Sequence, residues 1–493
     1  MKKRKIGFLV MALLLVTITV FYASCDSKDD SWTDMQYNAE INSNEYNQIN
    51  ENPVTLVSQV PKSTFSLDVN TASYSGIRRA INENRGSGII KDQVRIEEMV
   101  NYFKYDYPLP VQNEPLSLNG YISECPWNTS AKLLTVGLRS MDITKGEKRN
   151  NLVFLLDVSG SMDSPDKIGL MQSAFILLAE NLNANDIVSV VTYAGSSGVR
   201  LDGASGSECV RITNVISDLT AGGSTGGAGG INTAYRLAQK HFIEGGNNRV
   251  ILATDGDFNV GVSSQSGLET LISNKRDSGI YLSVFGFGYG NLKDNKMETL
   301  ANNGNGNYAY IDSLTEARRA LVEEMNGTLN TVARDVKAQV EFYPEKVYSY
   351  RLLGYENKLL TNEDWENTEK DAGEIGAGLT VTAVYEIVLT ESAQSGDFLN
   401  VSVKYKNPDI ADNTERMLSQ NVGFGNIVTP TDDIKFISAV VEAALIMRKS
   451  TFKGTANIDN VIARLNSVTN LNDNPYKKEF LQLMLKYKNQ IND

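Results

Sequence analysis

Histidine is nearly missing from this chain: its 493 residues hold one, His241, beside three cysteines and eleven prolines. A single imidazole excludes zinc sites built from several histidines. A Ser-His-Asp triad would have to rest on a ring inside the helix-like stretch AYRLAQKHFI, where a surface or packing role is the plainer assignment. The spacing of Cys25, Cys125 and Cys209 suggests neither a metal cluster nor a redox pair. An exported location would permit a Cys125–Cys209 disulfide, but two separate buried thiols are the preferred reading. Positive charge is in deficit too. The 47 Lys and Arg face 59 Asp and Glu, for a net charge of −12. That balance excludes binding nucleic acid through the overall field of the protein. Core-forming residues are plentiful, at 41% hydrophobic against 22% charged. Wholesale disorder is therefore excluded, and the length fits about two to four domains.

The amino terminus carries Lys2, Lys3, Arg4 and Lys5, then an uncharged run from Ile6 to Tyr22, then ASC. Seventeen apolar residues are at the short limit for a membrane span. A signal peptide over 1–24 with a small-residue cleavage region is the better reading. Cys25 after Ala23 and Ser24 resembles the bacterial lipoprotein signal, in which this cysteine becomes the lipidated first residue. CDSKDD resembles the acidic tag of surface-exposed lipoproteins. The expected location is the cell envelope, as an outer-membrane lipoprotein anchored through lipid on Cys25.

Composition and periodicity divide the rest. Residues 25–62 read as the lipidated cysteine and a flexible tether rich in Asn, Ser, Asp and Glu. Residues 63–145 read as an amino-terminal α+β module, with a short helix in QVRIEEMVNYF and strands in LSLNGYISECPW and AKLLTVGLRS. In 150–330 the short apolar runs LVFLLD, IVSVVTYA, RVILATD and YLSVFGFG alternate with helical patterns. Ile168, Met171, Phe175, Leu178 and Leu182 paint one helix face. Strands without a polar face are buried on both sides, so the predicted fold class is α/β, a doubly wound, mostly parallel sheet. In 331–428 the period changes to two, as at Val336, Ala338, Val340 and Phe342, which predicts antiparallel sheet with one wet face. Such strands flank the α/β unit on both sides, so the unit is expected to be inserted into one flanking β-sandwich. A helical carboxy-terminal region over 429–493 completes the chain, with a capped start at Thr431 and Pro475 near a helix start.

Three loops are expected at the carboxyl ends of the parallel strands, where such sheets bind ligands. They carry Asp157-x-Ser159-x-Ser161, the run GGSTGGAGG from Gly222 to Gly230, and TDGD from Thr254 to Asp257. Two aspartates and three hydroxyls suit one hard divalent cation with coordination positions left open. The competing assignments are a phosphate cradle, which lacks the Gly-Lys-Ser/Thr ending, and plain capping or turn roles for Asp157 and Asp255. Asp257 is either a sixth donor or a solvated turn residue.

In this order the three loops resemble the von Willebrand factor type A domain and its metal-ion-dependent adhesion site. The resemblance implies that Asp157, Ser159, Ser161, Thr225 and Asp255 are the metal ligands, with Ser224 competing with Thr225. It implies Mg2+, or Mn2+ or Ca2+ in its place. FSLDVNTASY, VRIEEMVNYF, NRVILATDGDFNVGV, DVKAQVEFYPEKV, YRLLGYENK and DAGEIGAG extend the resemblance to the YfbK-type bacterial subfamily over most of residues 60–490. One departure is Leu379, where that subfamily is expected to carry histidine. The implied function is non-enzymatic: binding a partner protein's carboxylate through the cation, with the membrane as anchor and no nucleic acid. The alternatives are a metal-dependent hydrolase with Asp257 or Asp163 as base, and an assembly scaffold with a vestigial metal site.

Overall fold

The computed structural model of the chain describes residues 44–67, 70–111, 114–143, 148–194, 196–223, 228–256, 265–289, 292–409 and 412–492. The apolar runs of the middle of the chain form one six-stranded sheet. Across it the order is Tyr308–Ile311, Ile280–Phe287, Asn247–Thr254, Asn150–Asp157, Ile187–Ala194 and Ser196–Ser205. The first five are parallel, and Ser196–Ser205 returns antiparallel at the edge. Asn150–Asp157 and Asn247–Thr254 are buried at every position, as strands covered on both faces must be. Alternate residues of Asn150–Asp157 serve opposite layers. Phe154 and Leu156 pack with Met171, Phe175 and Leu178 of the helix Leu170–Ala179. Val153 and Leu155 pack with Ile231, Ala234 and Leu237 of the helix Ala228–Lys240. This is the doubly wound α/β arrangement. Ile168 and Leu182, at the ends of the predicted helix face, are half-buried against the same core.

The strands on either side of this unit pair with one another. In one sheet Lys132–Ser140 lies against Thr380–Leu389, with Arg139 opposite Thr380 and Lys132 opposite Ile387. In the other, Lys62–Ser66 lies against Thr331–Phe342, with Ser66 opposite Lys337. The two antiparallel sheets share a core that includes Phe65, Leu134, Val340, Tyr385 and Phe398. The α/β unit is thus inserted between strands of one sandwich.

One expectation fails. Period two predicts a wet outer face for Thr380–Leu389, but Thr380, Thr382, Val384 and Glu386 are buried as well. Helices cover that face. Leu133, Leu353 and Val384 form one core with Met99 and Val100 of the helix Ile96–Asn101 and with Phe436 and Val440 of Asp432–Met447. Lys337, expected on a wet face, is buried too, and its ammonium donates to the carbonyls of Asn367 at 2.8 Å and Asp364 at 3.2 Å. In the tail, Thr431 caps Asp432–Met447 and Pro475 opens the helix Pro475–Asn492, as predicted. Cys125 and Cys209 are separate thiols, the first buried and the second half-buried.

Candidate metal centre at the switch point of the sheet

Asn150–Asp157 has the second strand of the unit, Ile187–Ala194, on one side and the fourth, Asn247–Thr254, on the other. The strand order reverses there, which opens a crevice beyond the strands' carboxyl ends. Asp157 ends the first of these strands, and Asp255 directly follows the fourth. Both are buried, at 0% and 1% exposure. The register places Tyr193 opposite Asp157. Its phenol donates to Asp157 Oδ2 at 2.9 Å, Thr254 Oγ1 donates to the same oxygen at 3.1 Å, and the Ser159 amide donates to Oδ1 at 2.9 Å. Burial pushes the Asp157 carboxyl up from its ordinary pKa, and the neighbouring Asp255 charge adds to that, while the bonds from Ser159 and Tyr193 oppose it.

The hydroxyls of Ser159 and Ser161 are 3.0 Å apart. Ser159 is buried and Ser161 is exposed, so the donors run from a buried floor to an open mouth. The first loop also holds the entry of the glycine-rich loop: Gly160 N donates to Gly223 O at 3.1 Å and Gly222 N to Val158 O at 2.8 Å. Gly256, after Asp255, has φ +98°, and a Cβ there would stand 2.5 Å from the Lys293 amide nitrogen. Only glycine turns the chain at that point without strain.

The structure therefore brings Asp157, Ser159, Ser161 and Asp255 to one crevice. Thr225, with Ser224, lies outside the described residues, as do Asp257 and Cys25. His241 has a different neighbour: its Nε2 is 2.6 Å from Asp202 Oδ1 on the edge strand. Two participants were not foreseen from sequence. Tyr193 becomes visible only once the register of neighbouring strands is known. Lys167, in SPDKIG, donates from Nζ to Asp255 Oδ2 at 3.0 Å and to the Ser161 carbonyl at 2.8 Å.

A family model for the von Willebrand factor type A domain matches residues 151–324. One described as uncharacterized protein YfbK, C-terminal, matches 327–490, and one described as von Willebrand factor matches 40–135. Along 465 residues the chain is 38% identical to the uncharacterized protein YfbK of Escherichia coli (strain K12), covering 89% of this chain and 80% of that one. The chain belongs to the YfbK family. Inter-alpha-trypsin inhibitor heavy chain H3 of Homo sapiens is 26% identical over 263 residues, 49% of this chain and 29% of that protein. Among solved structures, von Willebrand factor type A from Catenulispora acidiphila aligns over 74% of this chain and 88% of its own, at 13% identity and a TM-score of 0.43.

Von Willebrand A domains are protein-interaction modules, and such domains often use a metal ion. The residues of this YfbK-family chain fit such an ion. The donors are all oxygen, which suits a hard divalent cation. Two buried carboxylates side by side call for positive charge, and the crevice has already drawn one cation, the Lys167 ammonium. Asp157, Ser159, Ser161 and Asp255 would hold the ion.

Proposed function

We propose that this protein is a non-enzymatic interaction module that binds a partner protein's carboxylate through a divalent cation. Asp157, Ser159, Ser161, Thr225 and Asp255 hold the cation, Mg2+ in the first place and Mn2+ or Ca2+ as substitutes. The observation that carries the reading is the pair of buried aspartates and the exposed Ser161 at the switch point. When bound, the cation supplies an electrophilic point for a carboxylate oxygen. Asp157 is oriented by Tyr193, Thr254 and the Ser159 amide. Lipid on Cys25 would anchor the chain at the outer membrane, a reading supported by the apolar run and the ASC sequence before the tether. The test is a pull-down from native envelope with Mg2+, repeated with EDTA and with Asp157→Ala. Partner capture lost in both repeats supports the reading, and capture unchanged in both refutes it.

A further inference from the structure

Lys167 is not held as surface lysines usually are. Its side chain is 13% exposed, and its ion-pair partner Asp255 is 1% exposed. Its stem follows a built path over Gly288. That residue has φ +76°, and a Cβ there would stand 2.5 Å from both Cγ and Cε of Lys167. Glycine at 288 is what leaves room for the stem. The path is also braced from behind. The Tyr310 phenol donates to the Gly288 carbonyl at 2.7 Å, and Arg79 Nη1 donates to that phenol at 2.8 Å. Arg79 Nη2 donates to Asp166 Oδ2, next to Lys167 in the chain, at 2.7 Å. Arg79 belongs to the helix Ala72–Asn82, outside the α/β unit, so the brace reaches across two parts of the fold.

The charges in the crevice give this lysine a purpose. Among the described residues, Asp157 and Asp255 bring two negative charges to the site and Lys167 one positive. With a divalent cation these groups sum to a single positive charge, whereas without the lysine they would sum to zero. We infer that Lys167 is a built-in counter-cation of the metal centre, which weakens the site's hold on the metal and keeps the loaded site cationic, and so receptive to an anionic ligand. The inference rests on the metal-site reading above and assigns the charge balance of that same site. Like charges a few ångströms apart at a largely buried site interact strongly enough to change affinity at least tenfold.

The test is calorimetric titration of Mg2+ into the full chain, as wild type, Lys167→Met and Lys167→Arg. Lys167→Met is expected to bind Mg2+ at least tenfold more tightly than wild type. Lys167→Arg, which keeps the charge and reports on folding, is expected to stay within about threefold of wild type. Acetate titrated into the Mn2+-loaded proteins, read by solvent-proton relaxation, is expected to bind at least fivefold more weakly in Lys167→Met. Binding of Mg2+ by all three chains with equal affinity overturns the counter-cation role and leaves the metal site standing. Failure of wild type and both variants to bind Mg2+ overturns the metal site and this inference together. Binding by Lys167→Met but not by wild type supports the inference in its strongest form.

Discussion

Glu316 offers a test of how the inserted unit is fastened. Its side chain is fully buried, with Arg319 Nη2 at 2.6 Å from Oε1, and with Arg78 Nη2 at 2.8 Å and the Tyr102 phenol at 2.7 Å from Oε2. Arg78 lies on Ala72–Asn82 and also donates to Glu479 on Pro475–Asn492 at 3.1 Å, so one carboxylate ties the α/β unit to both helical flanks. Burial alone would raise the Glu316 pKa, but the Arg319 and Arg78 guanidinium groups more than reverse that and hold it at about 2, against 4.5 ordinarily. At about 1.4 kcal/mol per unit, this contributes on the order of 3 kcal/mol at neutral pH. The folded value is depressed, so the contribution is fully present above the unfolded value and is lost as pH falls from about 5 toward 2. Glu316→Gln keeps the shape and removes the charge. Urea unfolding at pH 7 should show a deficit of roughly 3 kcal/mol, comparable to breaking a buried ion pair on one side. Near pH 3 the gap between variant and wild type should shrink to less than half. A gap under about 1 kcal/mol at pH 7, or one that persists unchanged to pH 3, would refute the reasoning.

Two further outcomes follow from single residues. Burial pushes the Cys125 thiol up to about 12, so in a Cys25→Ser chain a thiol reagent should label Cys209 in the native state and Cys125 only after unfolding; native labelling of Cys125 would show its site to be open. Gly256→Ala forces a side chain into positive φ against the Lys293 backbone, and should cost about 1–3 kcal/mol of stability and weaken Mg2+ binding; a variant as stable as wild type would mean that the turn after Asp255 tolerates a Cβ.

The parts of the fold that could be read in advance are those where hydrophobic pattern alone decides burial. LVFLLD and RVILATD have no polar face, so they had to lie inside a covered parallel sheet, and their carboxyl ends had to form the crevice. That the strands flanking the insertion meet in one sandwich was legible from their order along the chain; which strand pairs with which, as Lys132–Ser140 with Thr380–Leu389, is seen only in the structure. What could not be read is burial achieved by distant polar partners. Nothing in SGIRRAINEN signals that Arg78 is buried, since its carboxylate partners stand 234, 238 and 401 residues away, at Asp312, Glu316 and Glu479. Lys337 and Gln339 look like a wet strand face, and both are buried. At the candidate site the gathering of Asp157, Ser159, Ser161 and Asp255 at the strand ends was legible, because a doubly wound sheet places those loops in one crevice. The Tyr193 and Lys167 contacts were not, since they depend on register and on a slot over Gly288.

The most direct measurement is anomalous diffraction from crystals of the full chain soaked in Mn2+, for wild type and Asp157→Ala. The account predicts a single strong peak in the wild type within bonding reach of the Asp157, Ser159, Ser161 and Asp255 oxygens, and no peak there in the variant. A wild-type crystal with no density at that crevice, or with the ion bound only elsewhere on the surface, would contradict it.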